Sequence, residues 1–285
     1  MKIYSFIGYA IIALHVLAGG FTAPYNWGFP AGALGAFVYL LCVWFLAGVY
    51  LTDVIHMGVA HRALVYRPWF IVFISVFYNT AGIYVNPRTW VNRHRHHHVF
   101  SDNRGDPNKL SDDGFWKTMY LCLLPYRCGS NLAHDNIFKN KWMKLISTPA
   151  YAVFSQLTSF LLIWVLVDDW AYAAALWIGV RAIALWVNMI QNYWSHDRRF
   201  GSRRYPEDTD NAMNLCEWLP VTATFSACLQ NNHHHFPSFV RTSHDPDQYD
   251  FGLMTVRWLH KLGLVQASRT GNRIPAEVAL AGIGI

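Results

Sequence analysis

Hydrophobic residues in this chain gather into long unbroken runs rather than alternating stripes. Four runs reach the roughly 20 residues that a helix needs to cross a hydrocarbon core of about 30 Å. They lie near 3–22, 32–54, 148–167 and 171–193, and each predicts a membrane-spanning helix. A further run, 69–85, has basic residues on both flanks and predicts a short re-entrant or interfacial helix. The first link, with Pro24 and Pro30, holds no Lys or Arg, and the link between the last two spans is little more than Asp168-Asp169-Trp170. Two helical hairpins follow, carrying a polar cap built from 55–147 and 194–285. No Pro-, Gly- or Ser-rich linker divides the chain, so 1–285 is expected to be one domain. The expected fold class is all-α and integral to a membrane: four transmembrane helices under a helical cap.

Composition sharpens this picture. Hydrophobic residues make up 53% of the chain and charged residues only 14%, against about 25% charged in ordinary soluble domains. The 13 Trp and 15 Tyr suit two membrane–water interfaces. Met1-Lys2 and Ala18-Gly19-Gly20 give the first run the outline of a signal peptide, but the runs that follow favour an uncleaved span. Of the 23 Lys and Arg, twelve lie in 55–147 and nine in 197–285, with Lys2 on the same side. The positive-inside rule then puts the cap and both termini in the cytoplasm. Arg181 alone among these cations falls inside a span, which marks it as a functional candidate.

The net charge of +6 comes without a basic run interleaved with aromatics, so nucleic acid is excluded as a partner. An anionic membrane surface or an acidic electron donor accounts for it. The five cysteines, Cys42, Cys122, Cys128, Cys216 and Cys228, form no Cys-x-x-Cys pair. A zinc ribbon, an iron–sulfur cluster and a thioredoxin-like site are unsupported, and reduced structural thiols are expected.

The 14 histidines carry the chemistry. They recur in four boxes: His56-Met57-Gly58-Val59-Ala60-His61; His94-Arg95-His96-His97-His98; Asn192-Tyr193-Trp194-Ser195-His196; and Gln230-Asn231-Asn232-His233-His234. Residues at i, i+3 and i+4 share a helix face. His94, His97 and His98 converge on a helix, Gln230, His233 and His234 repeat the arrangement, and Asn192 and His196 are an i, i+4 pair. His56 and His61 are five apart, roughly 140° around an ideal α-helix. They need a distortion or a helix end, which Gly58 permits. Imidazole suits iron, zinc, copper and nickel. Eight such ligands exceed one ion's needs, so two ions are expected, with room for water or O2. Zinc has no redox chemistry; an iron pair using O2 does. His15, His134, His244 and His260 read as structural, and His96 and His235 lie on a different helix face from the triplets.

These boxes resemble those of the membrane fatty acid desaturases, closest to the acyl-CoA desaturase branch. Trp90 to His98 with Ser101-Asp102 and Asp106-Pro107 is similar to the family's second box, and Gln230 to Pro237 to its third. Asp250 through Leu264-Val265 resembles its closing amphipathic helix, and the likeness covers roughly 50–266. The resemblance implies four spans under a cytoplasmic cap and two irons. Their ligands would be His56, His61, His94, His97, His98, His196, His233 and His234, with Asn192 holding a metal-bound water. Two departures stand out. Gln230 occupies a position that is usually His, where its amide oxygen is a weaker ligand than imidazole. Ser226-Ala227-Cys228 replaces a Gly-Glu-Gly-like stretch, which removes the usual acidic contact.

The expected activity is O2-dependent desaturation of a fatty acyl chain carried by CoA, a carrier protein or a lipid. Hydroxylation on the same fold is the alternative, and a metal transporter or store is a rival of another class. Two electrons must arrive from a separate ferredoxin or small haem protein, because the chain has no haem, flavin or nucleotide motif. Arg198, Arg199, Arg203 and Arg204 are the expected docking charges for that donor. Arg62, Arg93 and Arg95 are candidates for an anionic carrier or head group.

Overall fold

The computed structural model describes residues 2–108, 114–124 and 130–268. Cys128 and the last part of the cap lie outside the described residues. Helix α1 (Ile3–Thr22) pairs with α2 (Gly28–Ala47). Small side chains let the two backbones approach closely: a Cβ on Gly19 would stand 2.4 Å from that of Ala36. Helix α2 does not stop there. The chain continues as a π-helical segment, Gly48–Ala60, which carries the first histidine box. The apolar helix is thus unbroken over Gly28–Ala60, longer at both ends than the sequence pattern predicts.

Past that segment, β1 (Leu64–Tyr66) leads into α3 (Pro68–Ala81), α4 (Pro87–Phe100) and α5 (Phe115–Cys122). The 14 residues of α3 cover about 21 Å at 1.5 Å each, short of a hydrocarbon core. Pro68 at its first turn and Gly82 after its last set those limits. Then come α6 (Lys141–Ile146) and the second long hairpin, α7 (Pro149–Val167) and α8 (Trp170–Asn192). Asp168 turns the chain in the left-handed region, and the Asp169 carboxylate accepts from Tyr172 N at 2.8 Å to cap α8. The short link between these helices is therefore built to close a tight turn.

Among the described residues, four helices are long and apolar enough to cross a membrane, as the pattern predicts. They carry an exposed apolar belt that includes Phe21, Val165 and Leu166, which water would not tolerate and lipid would. The start of α1, the end of the π-helical segment, the start of α7 and the end of α8 meet the cap. Tyr4 Oη donates to Glu217 of the cap at 2.5 Å. The cap is completed by α9 (Trp218–Ala223), α10 (Gln230–His235), α11 (Phe251–Lys261) and β2 (Val265–Ser268). Strands β1 and β2 form a two-stranded antiparallel ribbon that the all-α reading does not contain; three residues of β1 are too few to leave a period in the sequence.

Two polar side chains inside the helical layer have structural partners. His15 Nε2 lies 3.1 Å from Ala36 O, binding α1 to α2. Arg181 on α8 donates to Gln156 Oε1 and Ser159 Oγ on α7 and lies over the Trp177 ring. Neutral acceptors and an aromatic face disperse its charge where water is absent.

Candidate metal centre

The π-helical segment solves the geometry of the first box. The His61 N–H donates to His56 O, five residues back, at 3.0 Å. In that winding residues five apart stack along the helix, and the two rings lie 4.8 Å apart. The second box is phased by the start of α4. Asn86 caps it by accepting from Thr89 N, and Pro87 occupies the first helical position. His94, His97 and His98 then share one face. His196 is held in a 3-10 turn just past α8, and α10 carries His233 and His234.

All eight imidazoles come together, in two groups. His56, His61, His94, His98 and His233 form one; His97, His196 and His234 form the other. Within each group the available ligand atoms lie within 4.8 Å of one another. In the first, the Nε2 separations are 2.7 Å for His61–His94, 3.1 Å for His94–His98, 3.2 Å for His98–His233 and 3.0 Å for His56–His233. In the second, His97 and His234 are 3.2 Å apart. Imidazole–metal bonds of about 2.1 Å place ligands at right angles about 3.0 Å apart. The nitrogens therefore have the spacing that a shared cation requires.

Protonation agrees with that role for most of the rings; at His196 burial lowers the value but the Asp102 carboxylate outweighs it and raises it above the ordinary imidazole range. Burial, and then the neighbouring histidines, push His61, His94, His98, His233 and His234 well below the ordinary imidazole range. At neutral pH these rings are uncharged and have a lone pair to offer.

The two groups differ in what stands behind them. Nδ1 of His97 meets Asp106 at 2.9 Å, Nδ1 of His196 meets Asp102 at 2.9 Å, and Nδ1 of His234 meets Asp210 at 2.9 Å. Carboxylates so placed fix the tautomer and make the ring a better donor. Burial pushes the Asp102 carboxyl up, but the adjacent His196 outweighs it and holds the group below the usual carboxylate range. Asp102 and Asp106 stand in the stretch that follows the second box. Asp210 lies outside the four boxes and the stretch that follows the second. It is presented by a loop whose carbonyls at Asp208, Asp210 and Ala212 accept from Arg203, and no local spacing advertises that.

The remaining candidates fall as follows. The Asn192 amide nitrogen donates to Asn188 O and Oδ1, leaving its oxygen as the acceptor. Gln230 is buried, and its amide nitrogen donates to Ala227 O at 2.5 Å. His15, His96, His134, His235, His244 and His260 stay outside both groups; His96 bonds Asn92 O and Ser130 Oγ, and His235 bonds Asp208. The arginines expected to dock a donor also have internal partners, Arg198 and Arg203 on Asp210 O, Arg199 on Asp197 and Arg204 on Asp245, and Arg198, Arg199 and Arg204 stay exposed. Likewise Arg62 and Arg95 converge on Asp135, and Arg93 bonds Asn108. Ser226 adopts φ +67°, a region costly for a side chain. Its Oγ accepts from Phe251 N at 2.7 Å, satisfying a free donor at the start of α11.

A cavity of about 600 Å3 opens beside the five-histidine group. His56, Trp90 and Gln191 line it near the clustered histidines, and Leu40, Val180 and Ile183 line it within the long helices. Gln191 and Val180 are about 16 Å apart along α8 at 1.5 Å per residue. A long, mainly apolar space thus runs from His56 into the helical layer.

The sequence matches the family described as fatty acid desaturase over residues 29–245. It is 30% identical over 264 residues to the sn-1 stearoyl-lipid 9-desaturase of Anabaena variabilis, covering 89% of each chain. It is 26% identical over 277 residues to Delta-9 acyl-lipid desaturase 1 of Arabidopsis thaliana, covering 94% of this chain and 83% of that one. The hex-5-enoyl-[acyl-carrier protein] acetylenase of Moorena producens (strain JHB) is 24% identical over 242 residues, 79% of this chain and 74% of its own.

Proposed function

Because this chain belongs to the fatty acid desaturase family, we propose that it introduces a double bond into the acyl chain of a membrane lipid, using two iron ions and O2. The observation that carries this reading is the pairing of two imidazole groups with an apolar cavity that begins at His56. The names of the Arabidopsis and Anabaena relatives support a lipid-linked acyl chain as substrate.

His56, His61, His94, His98 and His233 would hold one ion and His97, His196 and His234 the other, with Asn192 orienting a water through its amide oxygen. Gln230 supports α10 through Ala227 O. When bound, the iron pair supplies the oxidising power, drawn from O2, that an unactivated C–H bond demands. The protein's share is positional. The cavity walls extend the acyl chain, exclude water and stop it at a fixed depth, so that one pair of carbons lies beside His56. Overall the acyl chain gives up two hydrogens, and O2 leaves as two waters after taking up two electrons and two protons from outside. A ferredoxin or small haem protein supplies those electrons. The Lys and Arg distribution supports a cytoplasmic position for the cap, and hence for the site.

Lipid profiling of a host expressing the chain tests the activity. A product lacking two hydrogens supports it; a product gaining one oxygen would make the enzyme a hydroxylase. His97→Ala should abolish turnover and His260→Ala should not, and equal effects would contradict the division of histidines.

A further inference from the structure

A second, much smaller cavity of about 10 Å3 lies among Thr52, Asp53, His56, Ala227, His233 and Thr242. Two observations point to what it holds. Nδ1 of His233 is buried and has no hydrogen-bond partner among the described residues. Its Nε2 meanwhile faces His56 and His98 at 3.0 and 3.2 Å. Asp53, on the π-helical segment, is 1% exposed and accepts from Thr255 Oγ1 at 2.6 Å through Oδ2. A buried ring nitrogen without a partner is costly, and a buried carboxylate with one hydrogen bond is costlier still. A single water needs about 10–15 Å3 and two to four polar neighbours, and the cavity supplies both. Ala227 contributes only a methyl group to the wall, which is what leaves the room.

We propose that this cavity binds one ordered water that accepts from Nδ1–H of His233 and donates to the Asp53 carboxyl group. Asp53 is then a positioning residue. By way of the water it keeps the His233 proton on Nδ1 and the lone pair on Nε2, aimed into the five-histidine group. His97, His196 and His234 receive the same service from carboxylates in direct contact. The inference rests on the reading of His233 as a metal ligand.

Cobalt(II) titration of the metal-stripped, full-length protein in detergent tests it, read from the absorption of the bound ion. The parent should bind two equivalents. Asp53→Leu should weaken one of them by about tenfold, the effect expected of a lost outer partner, and Asp53→Asn, which keeps an acceptor for the water, should weaken it less. Thr255→Val removes the hydroxyl that donates to Asp53 but keeps the carboxyl group, and should leave both equivalents unchanged. Equal cobalt binding by Asp53→Leu and the parent overturns the proposal, as does equal weakening by Thr255→Val, which would reduce Asp53 to a packing role. A parent that binds no cobalt overturns the reading of His233 itself. Should the Asp53 variants fail to fold, a high-resolution density map of the unmodified protein decides. Water between Nδ1 of His233 and Asp53 supports the proposal, and a dry cavity overturns it.

Discussion

His61 donates its backbone N–H to His56 across five residues, at 3.0 Å, in a winding that brings together two rings that an α-helix would turn apart. The winding is supported from outside the helix. A Cβ on Gly58 would stand 2.8 Å from the ring of Tyr66, which is buried against it. Gly58→Val should therefore destabilise the protein by about 1–3 kcal/mol through overpacking, seen as a lower thermal midpoint in detergent. An unchanged midpoint would mean that Tyr66 does not press on this turn.

Asp210 stands behind His234, in the three-histidine group alone. Asp210→Asn should weaken that group's metal affinity by roughly 10–100-fold while the five-histidine group keeps its ion. Iron per chain should fall toward half on dialysis. Loss of both ions together would show that the groups are not separately supported.

Much of this site could be read from the chain because helical spacing is local. His94, His97 and His98 need only an α-helix to converge, and the four long apolar runs need only their length. The π-helical winding at His56 and His61 has no period of its own in the sequence, so their meeting is legible only as the need for a distortion. Asp210 was invisible because Arg203 positions its loop through backbone carbonyls, which leave no residue pattern. Arg198, Arg199 and Arg204, whose clustering suggests a docking role, remain exposed beside their internal partners.

Acid should weaken the metal-stripped protein well before carboxylates titrate. His61, His94, His98, His233 and His234 have folded-state values below the ordinary one. Between those values and about 6.5 the unfolded chain binds more protons than the folded one, so stability rises with pH across that window. The contribution is complete above about 6.5 and is lost as pH falls below it. The thermal midpoint of stripped protein should drop between about pH 6.5 and 5, and a flat profile would contradict the burial of uncharged rings.

Arg181 depends on Gln156 more than the fold depends on Arg181. Gln156→Leu leaves the guanidinium without the acceptor that takes two of its N–H groups and should cost about 1–3 kcal/mol. Adding Arg181→Leu should recover part of that loss, since apolar replacement of a buried charge is often neutral. Thermal midpoints of the single and double variants decide the order, and a double variant less stable than the single would reverse it.

Iron quantification in protein purified without O2, alongside His97→Ala, reaches the central claim most directly. Two imidazole groups predict two iron ions per chain in the parent and at most about one in the variant, with desaturation confined to the parent. A protein that desaturates its lipid while carrying no iron would contradict the account.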